Sequence, residues 1–317
     1  MLSASFALIN ILPGDVALQI AGGFVTEERI AEIRSELGLD LPLGERYVDY
    51  MASLLRGDLG ESYFTGESVG SELATRLPSS LELIIPALLL ACLLGLVIGS
   101  IASYFRNRLP DRLTRVFISL VQSIPDFFLA LILIFVIFFL LGWAPSPIGR
   151  FDIIETAPPS VTNFFLLDAV IARDWGLLWS IVTHMFLPVA ALGIVYSVYF
   201  AKTTRAALNA ALNAPQIEFA RACGLPERKV FGYALIAART PILTYGAILF
   251  GALVGGAAIV ETIFSWQGLG QWALEAMLQL DLPIIQGFIL TAGVAALIIF
   301  LVLDLLIVYL DPRITHG

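Results

Sequence analysis

The chain has 317 residues and a net charge of −8, with 58% hydrophobic and only 14% charged residues. Soluble domains average about 45–50% apolar and about 25% charged residues, so a water-soluble particle of this size lacks the polar surface to cover such a composition. A disordered chain and a basic nucleic-acid binder are excluded too, because the chain is apolar and only 18 residues are Lys or Arg. Two cysteines, Cys92 and Cys223, cannot build a disulfide framework. The composition describes an all-α polytopic membrane protein.

Taken in chain order, Met1–Leu12 is apolar and ends at Pro13-Gly14-Asp15. At 1.5 Å per residue it is well short of the roughly 20 residues that cross a bilayer. It has neither a basic leading region nor a small-residue cleavage site, so it is expected to be the C-terminal half of a first transmembrane helix that begins upstream. Segment 13–80 is polar and carries two short helical patterns. Thr26-Glu27-Glu28 before Ile30, Ile33 and Leu37, with Gly38 after, has the start and stop signals of a helix. Leu43, Tyr47, Tyr50, Met51, Leu54 and Leu55 form a second stripe, closed by Gly57. These patterns fit an amphipathic cap in water or an interface to another chain.

Five later stretches are long and apolar enough to span: Leu83–Phe105, Val116–Gly149 (interrupted by Asp126), Trp175–Ala201 (with His184), Thr240–Val260 and Leu282–Leu303. With the N-terminal stub they give six transmembrane helices, the first truncated. The domain boundaries expected are 1–12 for the stub, 13–80 for the external segment, 81–310 for a five-helix core with a polar loop at 206–240, and 311–317 for the tail. Charge alternates along this snake. Arg106, Arg108, Arg112, Arg115, Lys202, Arg205, Arg221, Arg228, Lys229, Arg239 and Arg313 are 11 of the 18 basic residues, whereas 13–80, 142–182 and 263–283 hold seven basic residues and eighteen acids. The positive-inside rule places both termini on the cytoplasmic side.

Signatures of catalysis are missing. There is no phosphate-binding Gly-rich loop before a lysine, no His/Cys cluster with metal spacing, no nucleophile elbow and no zinc-protease helix. The informative polar segment runs from Glu218 through Ala220, Arg221, Ala222, Cys223, Gly224, Leu225 and Pro226 to Phe231. A short helix ends near Gly224, which tolerates positive φ, and Pro226 suits the start of the next helix. The result is a helix–turn–helix knuckle, which on its own is also compatible with a solvated loop.

The chain resembles the inner-membrane permease subunits of ABC importers in the dipeptide/oligopeptide/nickel branch. Glu218, Ala220, Ala222 and Gly224 stand at the spacing of that branch's EAA motif, with Pro241 seventeen residues past the glycine. Phe219 and Cys223 depart from the motif, as does Thr240 before Pro241. Further blocks lie in order: Leu12–Asp15, Leu37–Asp40 with Pro42-Leu43, Leu54–Gly60, Arg76–Pro78 with Leu81–Leu83, Val260–Trp266 with Gly268–Gly270, Asp304–Leu306 and Leu310–Arg313. The resemblance implies a type I ABC importer permease fold in a prokaryotic inner membrane. It also implies a second homologous permease subunit, an extracytoplasmic solute-binding protein, and cytoplasmic ATPase subunits that hold ATP and Mg, with no cofactor on this chain. Glu218, Ala220, Arg221, Ala222 and Gly224 would then form the loop that couples to the ATPase.

Acids within or beside apolar spans are functional candidates by default. Glu82, Glu261 and Asp304 match family acids near helix ends, where pairing or capping is the simpler role. Asp126 either lines a path, meeting a cationic group, or bonds a neighbouring helix. Glu261, Trp266, Gly268 and Gly270 suggest a re-entrant turn near an outer gate. The competing function class is a stand-alone secondary transporter or channel that uses these acids for ion coupling; a membrane-embedded enzyme lacks a nucleophile–base pair.

Overall fold

The computed structural model describes residues 16–21 and 26–310, with Ser3 and Phe6, except for a few side chains near either end, Asp304 among them. The remainder of the expected stub 1–12, and the tail 311–317, lie outside the described residues. Among the described residues the regular structure is helical, and an isolated bridge between Glu61 and Ser68 is the sole strand-like pairing. In order the helices are α1 (Val16–Ala21), α2 (Glu27–Glu36), α3 (Leu43–Leu55), α4 (Val69–Tyr104), α5 (Leu109–Gln122), α6 (Asp126–Leu133), α7 (Phe165–Ala172), α8 (Trp175–Leu212), α9 (Pro215–Ala222), α10 (Glu227–Ala237), α11 (Arg239–Ile263), α12 (Leu269–Gln279) and α13 (Leu282–Leu310). A π-helical stretch, Ile134–Leu140, extends α6.

Among the described residues four helices are long and apolar enough to cross a membrane, α4, α8, α11 and α13, and the bent pair within 109–140 makes a fifth if it is one span. The stretch 116–149 is not one straight helix. α5 and the α6 segment to Leu140 meet at a bend of 96°. Pro125 has no N–H to donate and clashes with the preceding turn, so the helix stops at Gln122 and restarts at Asp126. α5 is amphipathic, carrying Asp111, Arg112 and Arg115 beside exposed Leu113, Val116 and Leu120. Only the portion from Asp126 onward is continuous apolar helix. α4 begins at Val69, inside the 13–80 segment, and carries Glu72 and Arg76 in its opening turns.

α4 and α8 form the central pair, and small residues set their separation. Ala87, Ala91, Gly95, Gly99 and Ser103, four residues apart, are buried on one face of α4, while Leu89, Leu93, Val97 and Ile101 are exposed on another. A side-chain carbon on Gly95 would lie 2.7 Å from the Ser197 carbonyl oxygen, and one on Gly99 2.7 Å from that of Ala201. On the α8 side, a carbon on Gly193 would lie 2.6 Å from Leu90 Cδ2. In lipid the tails are as apolar as leucine, so helices associate through such close backbone approach. α11 packs against both members of this pair around Leu192, Phe250, Leu253 and Ala257.

The pair diverges to two functional ends. At one, Asp111 of α5 is fully buried and receives Arg205 of α8 at 2.9 Å, with Arg106 reaching Asn213 at 3.3 Å. The α9–α10 hairpin caps this end. At the other, the 264–281 segment and the 142–174 loop fold over the starts of α4 and α8.

Gly99→Leu should therefore cost the fold dearly, since its side chain meets backbone that cannot retreat; overpacking of this kind costs about 1–3 kcal/mol or more. Gly251→Leu on α11, where a side chain meets nothing within 4 Å, is the control. Thermal midpoints and monodisperse yield in detergent are the measurement, with a large drop expected for Gly99→Leu alone. Equal behaviour of the two would show that the α4–α8 approach is not needed.

Candidate functional site

The hairpin is built by one turn. α9 ends at Ala222, Cys223 caps it, and Gly224 follows at φ +77°. The Gly224 amide donates to the Arg221 carbonyl at 2.9 Å and the Leu225 amide to the Ala220 carbonyl at 3.3 Å. This is the Schellman closure, which needs a left-handed residue at the position Gly224 holds. No atom lies near a carbon built on Gly224, so the constraint there is conformational and not steric. Ile217, Val230 and Ala234 close over Leu212 and hold the hairpin against the end of α8.

This packing divides the motif residues into two groups. Ala220 is buried against the chain itself, whereas Glu218, Phe219, Arg221, Ala222, Cys223 and Gly224 face outward. Glu218 and Arg221 do not pair with each other. Arg221 instead turns to Glu227 at 3.2 Å and to the Leu212 carbonyl at 3.5 Å, bracing the two hairpin helices together. Glu218 is left exposed with no ion pair among the described residues. Phe219 is 70% exposed, an apolar ring on the outer face of the hairpin. Its departure from the motif was visible in the sequence, but its exposure follows from the helix phase that Ala220 and Ile217 impose.

At the opposite end Glu261, Trp266, Gly268 and Gly270 converge on one buried knot. Glu261 is wholly buried and accepts from the Ser80 hydroxyl and from the Gln271 amide at 2.9 Å. Carbons on Gly268 or Gly270 would lie 2.4 Å from Glu261 Cδ and 2.8 Å from the Ala258 Cα, so only glycine lets this turn wrap the carboxylate. The turn takes left-handed backbone at Ser265 (φ 49°) and Gln267 (φ 57°), a cost of about 1 kcal/mol each for non-glycine residues. It is held there because Trp266 is fully buried and locked to Ser79, Nε1 donating to the Ser79 carbonyl at 2.9 Å and the Ser79 hydroxyl returning to the Trp266 carbonyl at 3.1 Å. Arg76 reaches the Gln267 carbonyl at 3.2 Å.

The neighbouring acids are equally engaged. Glu82 pairs with Arg150 and accepts from the Leu166 amide at 2.6 Å. The Arg150 guanidinium lies 3.6 Å over the Phe165 ring. Glu72 receives Trp272 Nε1 and the Thr65 hydroxyl, and Asp281 receives the Ser62 hydroxyl at 2.6 Å. Burial pushes the Asp168 carboxyl up, but the hydroxyl and amide of Thr162 with the amides of Val161 and Asn163 outweigh it and hold its pKa below the ordinary carboxylate value. That contribution to stability is present above the unfolded-state value and is lost as pH falls through the lowered folded one. Arg150 was not singled out in the sequence. The signal was its isolation, as the one basic residue of the 142–172 stretch.

Asp126 stands apart from this knot. It opens α6 with its Oδ1 accepting from the Phe127 amide at 2.8 Å, and it borders a hollow of about 400 Å³ shared with Tyr196, Tyr199 and Tyr245. His184, by contrast, is buried and bonded through Nδ1 to the Ser180 carbonyl at 2.8 Å. Among the described residues no group of three or more His, Cys, Asp or Glu is placed to hold a metal ion.

Comparison with known proteins matches residues 95–316 to the family described as binding-protein-dependent transport system inner membrane component, and residues 1–84 to that family's N-terminal region. This chain belongs to that family. The permease is 38% identical to the di/tripeptide transport system permease protein of Pseudomonas aeruginosa, over 98% of this chain and 93% of that one. It is 36% identical to a probable D,D-dipeptide transport system permease protein of Escherichia coli, over 99% and 92%, and 32% identical to an Escherichia coli glutathione transport system permease protein, over 98% and 92%. It is a multi-pass inner-membrane permease of a transport system, not an enzyme.

Removing one partner of the buried Glu82–Arg150 pair leaves an uncompensated charge, which costs about 3–5 kcal/mol. Arg150→Met should lower the thermal midpoint of the purified permease sharply, and Glu82→Gln added to it should recover much of the loss. If the double variant is as unstable as the sum of the two singles, the two side chains do not act as a pair.

Proposed function

We propose that this permease is one half of the translocation path of an ATP-driven importer for short peptides or related small solutes, nickel chelates included. It pairs with a second, homologous permease subunit in a type I arrangement. An extracytoplasmic solute-binding protein delivers cargo, and cytoplasmic ATPase subunits, carrying ATP and Mg, seat the hairpin of α9 and α10. Both termini lie in the cytoplasm, on the same side as the hairpin, in keeping with the cluster of Arg106, Arg108, Arg112, Lys202, Arg205, Arg228 and Lys229 at that end. The peptide specificity rests on the relatives, which are named for di/tripeptide, D,D-dipeptide and glutathione transport.

The single observation that carries the coupling role is the outward face of the hairpin. Glu218 without an internal partner and Phe219 exposed beside Ala222 form a small anchor of the kind that fills a partner's pocket: one ring, one charge and little bulk around them. Ala220 contributes from within, by letting α9 lie close to the chain. Nucleotide-driven closure of the ATPase pair then moves the hairpin, and alternating access follows from the difference in hairpin spacing between the two states.

Gly224→Val tests this reading. A β-branched residue at φ +77° costs on the order of 1 kcal/mol or more, and the cost falls on the turn alone. Membrane levels should stay at wild type while ATPase association weakens and peptide uptake is lost. Glu218→Lys should give a milder version. Pull-down of the ATPase and uptake are measured on the same membranes; wild-type values for both in Gly224→Val would falsify the coupling role. Uptake by this chain reconstituted without any ATPase would instead favour a secondary transporter.

A further inference from the structure

The buried acids at the knot end receive donors from segments distant in sequence, whereas among the described residues Asp126 receives only the amide of its neighbour. Its carboxylate follows Pro125 at the start of α6, and Oδ1 is occupied by the Phe127 amide. Oδ2 points elsewhere: a carbon built on Gly256 of α11 would lie 3.7 Å from it and 2.2 Å from the Tyr196 hydroxyl. The acid and the phenol therefore converge on one spot that only a glycine leaves open. No Lys, Arg or His forms an ion pair with Asp126 among the described residues. An acid that interrupts an apolar stretch without a cation is a candidate for a ligand or ion path.

The surroundings state what kind of cation fits. Tyr196 donates its proton to the Ala252 carbonyl at 3.3 Å, so the phenol oxygen presents acceptor lone pairs to the hollow. Its ring lies 6.2 Å from that of Tyr199, and Tyr245 completes the polar wall. A hard divalent ion wants about six oxygen ligands, and a single free carboxylate oxygen with phenols does not supply them. An ammonium group wants one carboxylate, a few acceptors and aromatic faces, which is what is present. The remaining wall, with Ile248 and Leu249, is apolar, and the volume of about 400 Å³ suits a ligand of a few residues at most.

We propose that the hollow between Asp126 and the tyrosines 196, 199 and 245 is a transit subsite that receives the protonated amino end of a short peptide, its side chain lying against Ile248 and Leu249. This rests on the peptide-importer reading above. The subsite lies on the membrane-embedded chain itself, so it would contribute selectivity beyond that of the binding protein.

The test uses the complete transporter, purified in detergent and reconstituted in vesicles with ATP inside. In detergent, alanyl-benzoylphenylalanine is photolysed with the complex and the labelled peptides are mapped. Labelling is expected in 195–199 and 245–252, with protection by alanyl-alanine and none by its N-acetyl derivative. Asp126→Asn should reduce labelling and vesicle uptake of tritiated alanyl-alanine about tenfold or more, the loss for one charge-assisted hydrogen bond, and Asp126→Glu should restore much of both. Should Asp126→Asn lower the yield of complex, Tyr199→Ala carries the labelling test instead. Equal protection by the N-acetyl peptide, or undiminished labelling in these variants, overturns the subsite. Absence of alanyl-alanine uptake by the wild-type transporter would overturn the peptide reading itself, a separate result.

Discussion

The close approach of α4 to α8 is the constraint on which the rest of this permease depends. Inside a bilayer there is no gain from hiding apolar surface, so helices must be held by contact at van der Waals distance and by polar groups that find one another. Gly95 and Gly99 supply the first by letting the α8 backbone come where side chains would stand. The second acts through neighbours: Asp111 of α5 holds Arg205 of α8 at one end, and Ser79 and Ser80 of α4 hold the 261–269 turn at the other.

The acids of the membrane region then sort by what surrounds them. Glu72, Glu82, Glu261 and Asp281 each receive at least one side-chain donor from a segment distant in sequence, so their negative charge or proton is absorbed into the architecture. They tie the polar loops to the helix starts, beside the apolar packing of Phe264, Trp266, Leu269 and Trp272. Among the described residues Asp126 receives only its neighbour's amide. On the reading proposed above, the carboxylates therefore serve two different ends, and the distinction lies in the donors within reach.

Much of this was legible in the sequence. Four spans, the two amphipathic helices before them, and the turn at Gly224 follow from length, charge gaps and the placement of glycine and proline. The sharp bend within 116–149 was not legible as such, because composition counts apolar residues whereas Pro125 acts on the hydrogen-bond ladder. The grouping of Glu261 with Trp266, Gly268 and Gly270 was readable as a cluster of neighbours. Its nature as a buried knot was not, since that depends on Ser79 and Ser80, almost two hundred residues away. The pairing of Arg221 with Glu227 was not legible either, because it depends on the turn at Gly224 folding the next helix back.

α8 is the element that joins the functional parts. Its last turn carries Leu212 beneath the hairpin, its middle carries Tyr196 and Tyr199 at the hollow, and Gly193 sits against Leu90 of α4. From Leu212 to Gly193 no proline interrupts it, so a displacement at the hairpin reaches the hollow along an unbroken hydrogen-bond ladder. Buried Pro188 lies just beyond, where the ladder loses the bond to His184 and bending is easiest. Past that point α8 enters the knot end, which is fixed by Trp266, Glu261 and the Glu82–Arg150 pair. On the reading proposed above, the helix is stiff between the place where ATP-driven motion enters and the place where cargo sits. It can bend at Pro188, between that stiff part and the knot end.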